Sequence, residues 1–324
     1  MNHNTPFSIQ IEPTMGCNKN CSFCAIYSLK DKIKKPLFMT VDLAKKIAID
    51  LNTWLPPRRI EFALRGEPLL NPNIIDIIKT FREHYPLCQL MLTTNGIVIL
   101  KRQEKIVNEL FDAGLNLLNI DCYNHTYDKL ESICKKSKLQ VIDYYNNPTK
   151  IKLYGYNNHK IQATFLMKDL EVYNGKKLGR SILNMAGNVD PKIVEPLEEP
   201  LNKKCAKVYR EMPIYYNGVV PICCMDWRQE LVMGKFPEQS LKNMWMSDEW
   251  ETVRELTYNK KRITRPCYMC DFGGGFRLGF LDEVKKGLTE AQQIDLLKKH
   301  YDKVKEHEFT NARTPLIYTK NSLI

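Results

Sequence analysis

Three cysteines near the start of the chain are the residues best suited to carry chemistry. They are spaced as Cys17-x-x-x-Cys21-x-x-Cys24, directly after an apolar-alternating run at residues 7–12. Three thiolates so spaced on one loop can hold three irons of a cubic 4Fe–4S cluster and leave the fourth iron without a protein ligand. Because an open iron can bind and reduce another molecule, the spacing predicts redox chemistry. The structural alternative is a zinc site, which would require four ligands in two close pairs.

The residues around these cysteines resemble the signature of the radical SAM enzymes. Phe23 stands between the last two cysteines, where that family usually has an aromatic residue. Gly66-Glu67-Pro68 follows a second predicted strand and resembles the GEP element, which in the family holds the methionine amino group. The resemblance implies that the open iron chelates the methionine part of S-adenosylmethionine. It also implies that an electron from the cluster cleaves this molecule to a 5′-deoxyadenosyl radical.

Five polar positions are candidates for contact with S-adenosylmethionine. Asn95 lies in a Thr-Asn-Gly turn that closes a third predicted strand, as often seen in the family. Asn119 and Asp121 end a fourth strand, where relatives often place a polar residue against the ribose. Glu67 either reaches the methionine amino group or orders its own loop. Arg65 pairs with the methionine carboxylate, with the substrate, or with a partner in a surface ion pair.

A second set of four cysteines lies in the last third of the chain: Cys205, Cys223, Cys267 and Cys270. Four thiolates from three elements can close around a cluster with no iron left open, or around a structural zinc. The pattern resembles the twitch appendage, the shortened relative of the SPASM domain, which implies one auxiliary 4Fe–4S cluster. Such a cluster could accept an electron from a substrate radical, or it could only stiffen a small domain.

Cys224 directly follows one of these presumed ligands and cannot easily bind the same cluster. A thiol is a good hydrogen-atom donor to a carbon radical, and some radical SAM peptide epimerases use a cysteine placed in this way. The alternative is a small packed residue, because free cysteine is often buried. Cys88, Cys122 and Cys134 are interpreted as packing residues.

Composition and charge restrict the classes of protein to which this chain can belong. The chain has 324 residues, a formal charge of +11 and eleven cysteines. No apolar run approaches the ~20 residues of a membrane span, and the first residues lack the layout of a signal peptide. We therefore predict a cytoplasmic protein, in which cysteines serve as metal ligands or reactive thiols. The lysines are spread along the chain, which favours a solvated surface over a nucleic-acid interface.

Strand-like and helix-like segments alternate over the first two thirds of the chain. The local patterns predict a helix cap at Thr40, a cap and first-turn pair at Asn71 and Pro72, a helix at 102–113, a strand at 181–185, a type I′ hairpin turn at Asn217-Gly218, and a helix at 240–256 that places Trp245 and Trp250 in the core. The alternation of strands and helices predicts an α/β fold with a parallel sheet and right-handed crossovers. About six such units suit a partial (β/α)6 barrel, which the resemblance also implies. The predicted domains are a radical SAM core at 1–190, a twitch auxiliary-cluster domain with a β-hairpin and helix at 191–280, and a C-terminal helical extension at 281–324. Because the cysteine, GEP and Asn95 loops all follow strands, they should meet at one edge of the sheet.

The sequence thus predicts a radical SAM enzyme that abstracts a substrate hydrogen atom, with dehydrogenation of a small molecule favoured. One alternative is a peptide maturase, an epimerase or cross-linking enzyme, with Cys224 as hydrogen donor. Another is a basic zinc- or cluster-bearing nucleic-acid-binding protein, which explains the charge and the thiols but not the GEP loop. The expected partners are a reductant protein such as a flavodoxin or ferredoxin and a small-molecule or peptide substrate, without a membrane.

Overall fold

The computed structural model describes residues 5–29, 33, 35–54, 57–123, 126–137, 140–143, 162–167, 183–273, 292, 295, 299, 318–319 and 322–323. The chain divides into two compact units. The first unit, here the strand–helix unit, comprises residues 8–19 and 33–181. The second, here the C-terminal unit, comprises residues 1–7, 20–32 and 182–324.

The strand–helix unit alternates short strands and amphipathic helices. Its elements are β1 (Ser8–Ile11), β2 (Thr14–Met15), β3 (Leu37–Phe38), α1 (Val41–Asn52), β4 (Arg59–Phe62), α2 (Ile74–His84), β5 (Gln89–Thr94), α3 (Ile97–Arg102), α4 (Glu104–Asp112), β6 (Leu117–Asp121), α5 (Tyr127–Lys135), β7 (Gln140–Asp143) and β8 (Ala163–Met167). Thr40 caps α1, as its position before an apolar period predicts, because its hydroxyl accepts a hydrogen bond from the Leu43 amide.

Six parallel strands of this unit lie side by side in the order β7-β8-β6-β5-β4-β1. Their central positions are fully buried, including Ile11, Phe62, Leu92 and Leu118. Burial on both faces is the expected consequence of helical crossovers that cover a parallel sheet. The predicted α/β class and parallel sheet of a partial (β/α)6 barrel are therefore confirmed.

Four local predictions in this fold were wrong. A strand predicted at 181–185 is not present in its described residues, 183–185, and the sixth strand is instead β7. The predicted cap Asn71 lies before the helix, which begins at Ile74. The other two, a hairpin turn and a single helix at 240–256, belong to the C-terminal unit. The helix predicted from Arg102 to Ala113 is present as α4, and the unpredicted helix α3 is separated from it by Gln103, which takes a positive φ of 57°.

The C-terminal unit consists of short elements joined by long loops. They are α6 (Lys207–Arg210), β9 (Glu211–Ile214), β10 (Val219–Pro221), β11 (Val232–Lys235), α7 (Leu241–Trp245), α8 (Asp248–Tyr258), β12 (Tyr318–Thr319) and β13 (Ser322–Leu323). A type I′ turn was predicted at Asn217-Gly218 and would need positive φ at both residues. Only Gly218 has one, at 84°, and the turn runs from Tyr215 to Gly218, closed by the Gly218 amide on the Tyr215 carbonyl.

Two tryptophans form the core of this unit, as predicted. Trp245 and Trp250 are fully buried, with their ring centroids 4.8 Å apart. They lie on two helices rather than on the one predicted at 240–256, because Ser247 caps a new helix by accepting from the Trp250 amide. The extension predicted at 281–324 lies almost wholly outside the described residues, and the boundaries at 190 and 280 stay predictions. In the described part of the chain, no helix is long and apolar enough to cross a membrane.

Candidate functional site

The loops after β1 and β4 are held together by their backbones. Gly16 and Gly66 form an isolated parallel bridge, and the Glu67 amide donates to the Gly16 carbonyl at 2.9 Å. A Cβ atom on Gly66 would lie 2.1 Å from the carbonyl oxygen of Thr14. Only glycine fits there, because a Cβ atom would clash with the backbones of Thr14 and Gly16, which cannot move aside as the end of a side chain can. The GEP loop therefore lies directly beside the start of the cysteine loop, as the strand-end argument predicts.

The Glu67 carboxylate orders the neighbouring loops. It is buried and accepts hydrogen bonds from the Thr94 hydroxyl at 2.6 Å, the Asn95 amide at 2.8 Å and the Leu69 amide at 3.1 Å. Burial raises the pKa of Glu67, although these three donors act to lower it. Pro68 begins a short 3-10 turn that this carboxylate caps. The loop-ordering role is thus visible, while contact with a methionine amino group stays a prediction.

Cys17 follows the bridged backbone and lies within reach of two N–H donors. The Lys19 backbone amide and the Asn95 side-chain amide each lie 3.4 Å from its Sγ. Burial raises the pKa of Cys17, and the charge of Glu67 adds to this, while the two donors lower it. A thiolate at this position would therefore be partly stabilised by hydrogen bonds before any iron binds.

Cys21 and Cys24 lie further along the same loop, in the segment grouped with the C-terminal unit. The Cys24 amide donates to the Cys21 carbonyl at 3.1 Å, which closes a tight turn around the half-buried Phe23. Both thiols are partly exposed. Their role as cluster ligands, together with Cys17, stays a prediction.

A buried ion pair joins the residues that precede the cysteine loop and the GEP loop. Arg65 donates from Nε and Nη2 to the two carboxylate oxygens of Glu12, at 2.7 and 2.8 Å, and both side chains are almost fully buried. The surface ion pair considered for Arg65 is therefore wrong. Glu12 was not identified from the sequence. A signal exists, because Glu12 follows β1 and Arg65 follows β4, and these two buried strands are neighbours in the sheet.

Asn119 and Asp121 occupy the end of β6, as predicted. Asn119 is in register with Thr93 on β5, and its side-chain amide lies 3.3 Å from the sulfur of Met91. Asp121 is half-buried at the last position of the strand. Both lie on the strand next to β5, and Asn95 follows the last residue of β5. Their contact with a ribose stays a prediction.

The second set of four cysteines lies within the C-terminal unit, where the cysteines influence one another's pKa. Burial raises the pKa of Cys223 well above its ordinary value, and the charges of Cys224, Cys267, Cys270 and Cys205 raise it further. Burial, followed by the charges of Cys205 and Cys270, raises the pKa of Cys267 to about 12. Thiols that act on one another in this way lie close together in a poorly solvated place.

The donor chemistry of these four thiols fits an auxiliary iron–sulfur cluster. Among the described residues, no three His, Cys, Asp or Glu side chains are spaced to hold one metal ion. The fit therefore rests on the thiol chemistry, on the burial of three of the four side chains, and on the effect of neighbouring cysteine charges on the pKa of Cys223 and Cys267. Sequence reasoning missed the buried Arg262, which donates to the Cys270 carbonyl at 3.0 Å and the Lys203 carbonyl at 3.0 Å. Arg262 thereby fixes the segment that ends in the Cys267–Cys270 pair.

Cys224 contacts a charged pair. Its Sγ lies 3.8 Å from a carboxylate oxygen of Glu211, and the same oxygen accepts from Lys207 Nζ at 2.9 Å. Burial disfavours the charged form of Lys207, yet the charges of Cys224 and Glu211 raise its pKa well above the ordinary value. Cys224 is partly exposed, whereas its neighbour Cys223 is buried. The structure thus gives the two adjacent thiols different surroundings.

The remaining cysteines are packing residues, as predicted. Cys88, Cys122 and Cys134 are buried. Burial raises the pKa of Cys88 and of Cys134 to about 12 in each case. Thiols of this kind are inert at neutral pH.

Comparison with known protein families agrees with this arrangement. The sequence model of the radical SAM superfamily matches residues 11–157, and that of SPASM, an iron–sulfur cluster-binding domain, matches residues 205–271. The two matches cover the cysteine, GEP and Asn95 loops and all four cysteines of the second set.

Curated relatives and solved structures extend the likeness over most of the chain. GTP 3′,8-cyclase of Clostridium perfringens is 22% identical over 313 residues, 93% of this chain and 91% of that protein. S-adenosyl-L-methionine-dependent 2-deoxy-scyllo-inosamine dehydrogenase of Niallia circulans is 23% identical over 252 residues, 76% of this chain and 85% of that protein. The crystal structure of BtrN in complex with AdoMet and 2-DOIA superposes with a TM-score of 0.60 at 20% identity, covering 82% of this chain and 93% of that one. The chain belongs to the radical SAM superfamily and carries a SPASM domain, so it is an enzyme whose cofactors are 4Fe–4S clusters and S-adenosylmethionine.

Proposed function

We propose that this enzyme dehydrogenates a small polyol-like molecule by a radical route. A 5′-deoxyadenosyl radical takes a hydrogen atom from a carbinol carbon. The resulting carbon radical then loses one electron and one proton, which leaves a ketone. When bound, the two clusters supply the electron that cleaves S-adenosylmethionine and an acceptor for the electron from the substrate radical.

The chain's own residues have distinct parts in this proposal. Cys17, Cys21 and Cys24 hold the cluster whose open iron binds S-adenosylmethionine. Glu67 fixes the loops beside Cys17, and Asn119 and Asp121 meet the ribose from the end of β6. The four cysteines of the second set, defined above, hold the auxiliary cluster.

The observation behind the proposal is the second set of four thiols in the C-terminal unit, in which Cys205 is partly exposed and the other three are buried. Four protein ligands satisfy every iron of a cubic cluster, so such a cluster binds no substrate and is suited to accept an electron. The dehydrogenase from Niallia circulans supports the same reaction class, because its likeness covers 76% of this chain.

The test is an anaerobic assay of the reconstituted holoenzyme with S-adenosylmethionine, a strong reductant and a panel of substrates. The panel contains aminocyclitols, other polyols and GTP. We expect 5′-deoxyadenosine and a ketone in equal amounts with one polyol. Transfer of deuterium from the substrate carbinol carbon into 5′-deoxyadenosine would identify the abstracted hydrogen. Turnover of GTP alone, or cleavage of S-adenosylmethionine without any oxidised product, would contradict the proposal.

A second candidate is maturation of a ribosomally made peptide, with Cys224 as hydrogen donor. The specific observation in its favour is the partial exposure of Cys224 beside the buried Cys223. In this reaction the thiol gives its hydrogen atom to a peptide radical and must afterwards regain an electron and a proton. Cys224→Ala should then abolish epimerised product while 5′-deoxyadenosine still forms. Undiminished product from this variant would remove the donor role.

We further propose that a flavodoxin or ferredoxin delivers the electron and that the enzyme works in the cytoplasm. The formal charge of +11 supports an acidic electron carrier, because opposite charge accelerates association. Reduction of the holoenzyme by an acidic flavodoxin should slow steeply as salt is added. Rates that do not change with salt would contradict this partner.

A further inference from the structure

The Asn95 side chain is held in one orientation. Its Oδ1 accepts a hydrogen bond from the Ile97 backbone amide at 3.0 Å. A backbone amide can only donate, so the atom that faces it must be the oxygen, and the NH2 group must point the other way. The Asn95 backbone amide is meanwhile fixed by the Glu67 carboxylate at 2.8 Å. The direction of the NH2 group is thus set by the backbone and not by the cluster.

This NH2 group meets the sulfur of Cys17. Asn95 Nδ2 lies 3.4 Å from Cys17 Sγ and 2.9 Å from Asn18 Oδ1. The Lys19 backbone amide lies 3.4 Å from the same sulfur. The Lys19 donor belongs to the cysteine loop itself, while the Asn95 donor follows β5. The Lys19 donor is a backbone amide and the Asn95 donor is a side chain, so a change of side chain removes only the Asn95 donor.

We propose that Asn95 tunes the reduction potential of the cluster held by Cys17 through an N–H···S hydrogen bond. The reduction adds one electron, and part of the added charge falls on the ligating sulfurs. A hydrogen-bond donor stabilises the more negative, reduced state more than the oxidised state, so the potential rises. Asn95 is therefore a positioning and tuning residue and not a contact of S-adenosylmethionine alone. This inference rests on the proposed role of Cys17 as a cluster ligand.

The experiment is a redox titration of the reconstituted holoenzyme followed by EPR. The cluster with the open iron is recognised because its signal changes when S-adenosylmethionine is added. Asn95→Asp keeps the oxygen that accepts from Ile97 but replaces the donor by a negative charge. Asn95→Ala removes the donor without adding a charge. Asn73→Asp makes the same change of charge at the exposed start of α2 and serves as the matched control.

At one fixed solution potential, we expect Asn95→Asp to lower the ratio of reduced to oxidised cluster about tenfold, and Asn95→Ala to lower it less. Asn73→Asp should match the wild-type protein. Unchanged midpoints in both Asn95 variants would overturn this inference alone. A wild-type protein without any signal that responds to S-adenosylmethionine would overturn the proposed function as well.

A measurement on the wild-type protein covers the case in which both variants lose iron. Asparagine labelled with ¹⁵N in the side-chain amide should show a nuclear coupling to the reduced cluster in pulsed EPR. Absence of this coupling would show that the amide does not contact a cluster ligand and would overturn the inference.

Discussion

The two cysteine sets differ in their exposure to solvent and in the groups that surround their sulfur atoms. Cys17 is partly exposed and meets the N–H donors of Lys19 and Asn95. Cys223 and Cys267 are buried, and the charges of neighbouring cysteines add to the effect of burial in raising the pKa of each. In the proposed enzyme, the partly exposed first set lets S-adenosylmethionine reach an open iron, whereas the second set, with three of its four thiols buried, leaves no iron open. Access to the sulfur atoms would then separate the two sets as much as the number of ligands does.

The two sets also differ in how the backbone holds them. Cys17 lies in the connection that follows the parallel strand β1, and the backbone there is bridged at Gly16 to Gly66 in the loop after β4. The second set lies in loops, and the Arg262 guanidinium joins two of them by donating to the carbonyls of residues 203 and 204 in one and of residues 270 and 272 in the other. A regular sheet thus positions the first region, and individual side-chain contacts position the second.

The largest effect should come from removing one ligand of the first set. Cys17→Ala should abolish 5′-deoxyadenosine formation and remove roughly half of the iron, because only one of two clusters is lost. The measurements are iron content and product formation under anaerobic conditions. Cys88→Ala is the control, since that buried thiol is a packing residue. Retention of cleavage activity in Cys17→Ala would contradict the division between the two sets.

The buried ion pair beneath the loops should dominate the stability of the first region. Arg65→Met leaves Glu12 charged and unpaired in the core, so it should lower the free energy of unfolding by about 3–5 kcal/mol. The double variant Glu12→Leu/Arg65→Met should recover most of this loss in denaturant titrations. Lys46→Met breaks the exposed pair with Asp42 and should change stability by less than about 1 kcal/mol. Equal losses in the two single variants would contradict this account.

Thiol alkylation of the apo-protein should distinguish the two sets directly. The pKa of Cys270 is raised to about 11 and that of Cys267 to about 12, in both cases by burial first. At pH 8 their thiolate fractions are about a hundredfold or more below that of an ordinary thiol. Mass spectrometry after brief iodoacetamide treatment should therefore show Cys21 and Cys24 modified first. Denatured protein, in which the cysteines react alike, is the control, and equal rates in the folded protein would refute the contrast.

A smaller effect should follow from adding one methyl group where the two loops meet. Gly66→Ala would place a Cβ atom against the Thr14 and Gly16 backbones, which should lower the free energy of unfolding by about 1–3 kcal/mol. The iron content of the first cluster should fall with it. At Gly273 the nearest atom to a new Cβ is Lys203 Nζ at 3.9 Å, so Gly273→Ala is the matched control. Identical thermal midpoints for the two variants would show that the bridge does not position the cysteine loop.

Local patterns were sufficient to predict much of the fold. Alternation of strands and helices, the Thr40 cap and the burial of Trp245 and Trp250 could be read from residue types and periodicity. Helix breaks were harder to predict: the short helix α3, which a positive φ at Gln103 separates from α4, was missed, and so was the break at Ser247, which starts a new helix inside an apolar period. Such breaks depend on packing against other elements, which outweighs local helix propensity.

The sequence by itself determined the chemistry, because ligand spacing on a loop is a local property. Three cysteines within eight residues and the GEP element were enough to indicate the family. Tertiary structure alone decided which groups support that chemistry. Glu12 and Arg65 are 53 residues apart, and Asn95 is 78 residues from Cys17, yet each pair is in contact. No local pattern encodes these contacts, since they arise only when parallel strands bring distant loops to one edge of the sheet.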